Sequence, residues 1–237
     1  MCTVVVRVPE LPGDPVRMLA IRDEDPARPW RPVGAWWPGR YPGVRGVLDV
    51  RAGGSWLAVN DRSGRTAVVL NRADDGSAGE DAPSRGWLPL EAVAGRGLGS
   101  EPATRGFNLV EASPDAVRVS SWDGRRFASS PLPPGTHMVS HDEVDDPRTA
   151  RITRWLPAFR DALLPPGPAW YTPWLEVVAE SAALDPTDDE ALIRDHRHLG
   201  IPTLSLMLCV LAVASEGTDL VGAALPAPGR WGPLRLA

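Results

Sequence analysis

The chain has 237 residues, with 25 basic and 30 acidic side chains and a net charge of -5. That balance argues against a general nucleic-acid binder, which needs a basic face. An apolar fraction of 43% is enough for a buried core and excludes wholesale disorder. The length fits one domain spanning residues 1–237. Its 23 glycines and 26 prolines predict many turns and few long helices. Two cysteines, Cys2 and Cys209, make neither a disulfide scaffold nor a C-x-x-C redox or zinc pair. The opening residues lack a basic, then apolar, signal pattern. The longest apolar run, Leu204 to Ala214, is too short to span a bilayer. These features point to a cytoplasmic protein without a membrane span.

Residues Thr3 to Val8 form a β-branched run that predicts a strand starting almost at the first residue. Val16 to Ile21 predicts a second, ending in Arg22-Asp23-Glu24-Asp25. Arg28 to Arg45, rich in proline and tryptophan, reads as a loop carrying Trp30, Trp36 and Trp37. Ser55 to Asn60 and Thr66 to Leu70, around Asp61-Arg62-Ser63-Gly64, predict a β-hairpin with Asn60 and Asn71 closing its arms. Asp74 to Pro83 is a polar loop, and Leu88 to Ala94 predicts a short helix. Strands are expected at Phe107 to Ala112, Ala116 to Ser121, Arg126 to Ala128 and Gly135 to Ser140.

The remainder is more helical. Asp146-Pro147 reads as a cap and first turn, and Ile152, Trp155, Leu156, Phe159 and Leu163 share one apolar stripe. Thr172-Pro173 starts a second helix, and Thr187 with Glu190 has capping-box spacing for a third. Leu204 to Ala214 and Leu220 to Ala224 return to strand character. Strands followed by segregated helices indicate an α+β fold. No G-x-G-x-x-G or Walker pattern supports nucleotide binding.

Cys2 is the first candidate functional residue. Removal of Met1 would leave its thiol beside a free α-amine. The reference pKa values, roughly 8.5 and 7.7 to 8.0, are close enough for the amine to serve as base for its own side chain. A strand beginning at Thr3 would hold such a nucleophile rigidly.

Several blocks then occur together and in order. They are Met1-Cys2-Thr3, Ile21-Arg22-Asp23-Glu24, Gly53-Gly54-Ser55-Trp56-Leu57-Ala58-Val59-Asn60, Gly64-Arg65 and Asn71-Arg72. Ser84-Arg85-Gly86, Gly106-Phe107-Asn108-Leu109 and Pro134-Gly135-Thr136-His137 through Ser140 continue the series. With them the first 140 residues resemble the NRDE family, also called the transport and Golgi organisation 2 family. Ile21 stands where that family has its leading Asn, and His141 where it usually has Asn. The family is similar to cysteine-type N-terminal nucleophile hydrolases, which cleave linear amides. The resemblance therefore implies a four-layer α-β-β-α sandwich. It also links the chain to Golgi organisation, mitochondrial metabolism and haem trafficking.

On this resemblance Cys2 attacks an acyl carbon, Arg22 favours its thiolate, and Asp23 holds the α-amine. Asn71 is the preferred oxyanion donor. Asn60, His141, Trp37 and Trp56 are candidates for oxyanion or substrate contacts. His137 and His141 lack a third metal ligand, so no metal site is expected. His196 and His198, within Arg194-Asp195-His196-Arg197-His198, read as a solvated charged face, and Cys209 as an inert core thiol. Two functions follow. One is an amidohydrolase acting on a small acylated substrate. The other is a non-catalytic carrier on the same scaffold, for haem or another hydrophobic metabolite. Haem is thus a possible ligand although no cofactor is required, and the protein is expected to be a monomer or homodimer.

Overall fold

A computed structural model describes residues 2–74, 76, 78–79 and 81–236. The fold is mixed α+β, with two large antiparallel sheets and three helices. The first strands are β1 (Thr3–Val8), β2 (Val16–Glu24), β3 (Trp30–Gly34), β4 (Val44–Asp49), β5 (Ser55–Asn60) and β6 (Arg65–Asn71). Helix α1 (Trp87–Val93) follows, then β7 (Phe107–Ser113), β8 (Ala116–Trp122), β9 (Phe127–Pro131) and β10 (Gly135–Val139). Helices α2 (Ala150–Asp161) and α3 (Thr172–Ser181) precede β11 (Leu204–Ala214) and β12 (Gly217–Ala224).

One sheet has the order β10-β1-β2-β11-β12, the other β3 through β9 in sequence order. The five-stranded sheet is apolar on both faces. Its side chains alternate across the pleat, so Val4, Val6, Met18, Ala20, Cys209 and Leu211 enter the core shared with the seven-stranded sheet. The intervening Val5, Leu19, Ile21, Leu208 and Val210 pack with α2 and α3. From those helices come Ile152, Trp155 and Phe159, and Trp174 and Val178. Trp174 sits edge-on to Phe159 at 5.8 Å between ring centroids. Helix α1 packs against β5 and β6. Cys209 is fully buried, and burial pushes its thiol up to about 12.

Three local expectations are corrected. The stretch read as a loop over Arg28 to Arg45 contains β3 and the start of β4. Pro32 is tolerated because β3 is an edge strand, and register shifts after Arg31 and Gly46 break the period-two pattern. Thr187 and Glu190 do not start a helix. Asp185 Oδ1 instead accepts from Thr187 N at 2.9 Å and Thr187 Oγ1 at 2.6 Å, a side-chain turn that competes with helix formation. Asp146 lies ahead of α2, whose N-cap is Thr149. There Asp146 accepts from Arg148 N at 2.9 Å and pairs with its guanidinium, which holds the carboxyl down at about 2.

Candidate active site at the Cys2 end of the central sheet

Cys2 precedes β1 and lies beside the end of β2, because Thr3 pairs with Ile21. Its Sγ accepts from the Asp23 N–H at 3.4 Å and lies 3.6 Å from the Asp23 carbonyl. The Cys2 carbonyl accepts from Ser140 Oγ at 3.3 Å, just past β10. The residue is thus tied to both neighbouring strands. A register shift in β11 between Ser205 and Met207 faces Arg22 and Asp23. Bulges commonly re-aim side chains at functional sites. Here Ser205 Oγ donates to Asp23 Oδ1 at 2.6 Å while accepting from Arg194 N at 2.8 Å.

A cleft of about 600 Å³ opens at this end. Cys2, Arg22, Asp23, Asn71 and Trp56 all line it. Arg22 is buried at 3% exposure, and its Nη2 donates to Glu24 Oε2 at 3.3 Å. Among the described residues its Nη1 has no hydrogen-bond partner, and the Trp56 indole N–H is likewise buried and unpartnered. The Asn71 side chain makes no hydrogen bond among the described residues. Burial first, then the Asp23 carboxylate, push the Cys2 thiol above its ordinary value, against the weaker pull of Arg22. The Cys2 side chain is therefore a neutral thiol at neutral pH.

Three other candidates lie outside the cleft lining. Asn60 Nδ2 donates to the Val93 carbonyl at 3.0 Å and its Oδ1 accepts from Arg62 N at 3.0 Å, so its amide ties the hairpin turn to α1. Trp37 is a core ring whose N–H donates to the Gly53 carbonyl at 2.7 Å. His141 has Nδ1 3.1 Å from Ser140 Oγ, which in turn holds the Cys2 carbonyl, and Nε2 3.1 Å from Asp142 Oδ2. Burial lowers its pKa.

The sequence reading missed a polar layer behind Cys2. Arg151 of α2 is buried and donates to Thr3 Oγ1 at 3.3 Å, and burial lowers its pKa to about 10. The expectation of a solvated face over Arg194 to His198 is corrected for two of its members. Arg194 is buried at 2% exposure and His196 is fully buried. Arg194 Nη2 pairs with Asp189 at 2.8 Å, which lets the guanidinium enter the interior. Burial pushes His196 down to about 4. Asn108 of β7 spans the two sheets, with Nδ2 donating to the Ser140 carbonyl at 2.9 Å and the Asp142 carbonyl at 2.8 Å. The only sequence signal for Asn108 was its place in a family block.

The opposite wall comes from the loop before α1. Gly54 approaches Gly86 so closely that a Cβ would lie 2.5 Å from the Gly86 carbonyl carbon. Ser55 N donates to the Gly86 carbonyl at 2.7 Å, which fixes Ser84, Arg85 and Gly86 along the cleft. Arg85 Nη1 in turn donates to the Gly106 carbonyl at 2.7 Å.

Among the described residues no group of three or more His, Cys, Asp or Glu side chains is arranged to hold a metal. No described helix is long and apolar enough to cross a membrane. A comparison with curated proteins found no match. The family model Transport and Golgi organisation 2 matches residues 1–164, which include β1 to β10, α2 and every residue lining the Cys2 cleft. The chain therefore belongs to the Transport and Golgi organisation 2 family.

Proposed function

We propose that this protein is a cysteine N-terminal nucleophile amidohydrolase acting on a small acylated or amide substrate, built on a four-layer α-β-β-α sandwich. The observation that carries the reading is the meeting of Cys2, Arg22, Asp23 and Asn71 on one cleft. The layering is supported by a core between the sheets, a second core under α2 and α3, and α1 packed on β5 and β6. Met1 lies outside the described residues, and its removal is part of the proposal.

A thiol kept neutral by burial needs a base at the moment of attack. The Cys2 α-amine takes the thiol proton as sulfur bonds to the acyl carbon. Asp23, itself held by Ser205 Oγ, orients that amine. The free Asn71 amide donates to the developing oxyanion, a contact whose loss typically costs about 2.7 to 4 kcal/mol. The ammonium returns its proton to the departing amine, leaving a thioester on Cys2 that water hydrolyses.

A carrier for haem or another hydrophobic metabolite calls for a wide apolar cleft. This lining is mostly charged and polar and lacks the apolar walls a haem macrocycle needs, and the axial ligand it could offer among the described residues, Cys2, is held as a neutral thiol by burial.

The test is intact mass spectrometry before and after an acylating cysteine probe, on wild type and Cys2→Ala. Loss of Met1 and one acyl group on wild type, absent from Cys2→Ala, are expected. Retained Met1, or equal labelling of both proteins, ends the reading.

A further inference from the structure

The protein as a whole is acidic, yet the cleft beside Cys2 reverses that sign. Its described lining holds five guanidinium groups, those of Arg22, Arg28, Arg51, Arg85 and Arg105. Only Asp23, Glu24 and Asp49 oppose them. A local field of opposite sign to the whole molecule concentrates ligands of the matching charge.

The positive groups also differ in how far they are already engaged. Arg28 is committed to Asp49, with Nη2 2.7 Å from Oδ2. Arg85 donates to a backbone carbonyl. Arg51 and Arg105 are exposed on the rim, and neither side chain has a hydrogen bond or carboxylate partner among the described residues. Deeper in, Arg22 Nη1 is buried without an acceptor among the described residues. Leaving a guanidinium N–H buried and unpaired costs free energy that an arriving oxyanion would recover. Trp56 adds a second unpaired N–H to the same wall. Among the described residues four idle donor groups, two at the rim and two inside, line the cleft that holds Cys2.

We propose that the cleft selects amides bearing an oxyanion group, carboxylate or phosphate, captured by Arg51 and Arg105 at the rim and presented toward Arg22. This rests on the amidohydrolase reading for the fate of the ligand, but the capture is independent of turnover. An anionic group held at the rim places the attached amide along the wall formed by Trp56 and Val69, both of which line the cleft with Cys2.

The experiment measures binding by calorimetry to full-length Cys2→Ala protein, so that no probe is consumed. Three probes share one acyl chain: N-octanoylglycine, N-octanoyl-O-phosphoethanolamine and the neutral N-octanoylglycinamide. At least one anionic probe is expected to bind about tenfold or more tightly than the neutral one. The tighter of the two identifies carboxylate or phosphate as the source. Arg51→Gln with Arg105→Gln is expected to erase that preference while the neutral probe is unaffected. Both residues are exposed, so the fold should tolerate the change. Raising ionic strength on the unsubstituted rim supplies a second measurement and should shrink the preference. Equal binding of all three probes, no binding of any, or a preference that survives both the substitutions and salt overturns the inference. Selective capture without acylation of wild-type Cys2 removes the hydrolase reading alone. Acylation by a neutral probe without selective capture removes the anion inference alone.

Discussion

The β1–β2 pair has an arginine-rich cleft at each end, and the two use their guanidinium groups differently. At the far end a cavity of about 690 Å³ is lined by Arg7, Arg17, Arg160 and His137. There Arg7 donates to the carbonyls of Phe159, Arg160 and Ala162 and to Thr136 Oγ1. Arg17 reaches the carbonyls of Leu164 and Pro165 at 3.2 and 3.5 Å. These groups fasten the C-terminal end of α2, whose last carbonyls have no partner within the helix. At the Cys2 end Arg51, Arg105 and one arm of Arg22 have no acceptor among the described residues. Counting arginines would rank the two clefts alike. Among the described residues the far end leaves one buried donor, Arg17 Nε, without a partner, whereas the Cys2 end leaves Arg22 Nη1, the Trp56 N–H and both rim guanidinium groups, so the difference between a structural clasp and a candidate binding site is one of degree.

Histidines sharpen the contrast, and the larger of their two effects lies at the Cys2 end. His196 is fully buried and pushed down to about 4, so the folded protein holds it neutral while the unfolded chain titrates near 6.5. Between those values the unfolded state binds more protons, and stability falls as pH is lowered from about 6.5 to 4. The loss is at most about 3 to 4 kcal/mol, at 1.36 kcal/mol per pKa unit. Urea denaturation at pH 7 and pH 4.5 measures it, and His196→Gln should flatten this part of the profile. An unchanged profile in His196→Gln would mean that another group carries the acid sensitivity.

Replacing Arg7 breaks the far clasp without touching the cleft. Arg7→Ala exposes the carbonyls that end α2, and the expected loss is about 2 to 3 kcal/mol, since charged hydrogen bonds are worth more than neutral ones. Its effect on the labelling rate of Cys2 should be nil. Arg51→Gln is the mirror image, with stability within about 0.5 kcal/mol of wild type and altered ligand capture. If Arg51→Gln proves as destabilising as Arg7→Ala, the two ends are not different in kind.

Asn108 tests whether the Cys2 end is held from the second sheet. Asn108→Ala leaves the Ser140 and Asp142 carbonyls without their donor, at a cost of about 1 to 3 kcal/mol. Because Ser140 Oγ holds the Cys2 carbonyl, alkylation of Cys2 should change as well. Thermal melts and iodoacetamide kinetics on the same samples read both. Lost stability with unaltered alkylation would confine Asn108 to a structural role.

The contrast between the two ends also marks what a sequence discloses. The central strands were legible because Thr3 to Val8 and Leu204 to Ala214 are dense apolar runs, broken only by Thr3, Arg7 and Ser205, and a strand buried on both faces needs no strict alternation. Cys2 stood out because its residue type and terminal placement suggest chemistry, and Arg22 and Asp23 because they sit in a block that resembles the family. Ser205, Asn108 and Arg151 did not, since each reaches the site from a distant element and its meaning lies in a bulge or a cross-sheet bond. His196 looked solvated because neighbouring charges imply water. The pairing of Arg194 with Asp189 and the Asp188 carbonyl, which lets that segment fold inward, has no local signature. Asn60 and Asn71 each end a hairpin strand, but Asn60 flanks the turn, where its amide is taken up by α1, while Asn71 lies at the open end and lines the cleft.

The smallest expected effect is at the far end and has the opposite sign. His137 Nδ1 lies 2.7 Å from Asp145 Oδ2, and Nε2 lies 3.0 Å from the Pro133 carbonyl. Both ring nitrogens face acceptors, so only the doubly protonated ring satisfies them together. The Asp145 hydrogen bond raises the pKa, against burial and the nearby Arg160 guanidinium. Asp145 is fixed for this task by accepting from Met138 N at 2.7 Å. A raised folded pKa means that the stabilisation is complete below the free imidazole value near 6.5 and is lost as pH climbs through the folded value. Its size is about 1 kcal/mol or less, typical of a pair with one partly exposed partner. Asp145→Asn should remove this alkaline decline and leave the acid decline from His196 intact. Nuclear magnetic resonance titration of the His137 ring gives the direct reading. A ring that titrates below 6.5 would show that burial, and not Asp145, governs the far end, and the two ends would then respond to pH in the same direction.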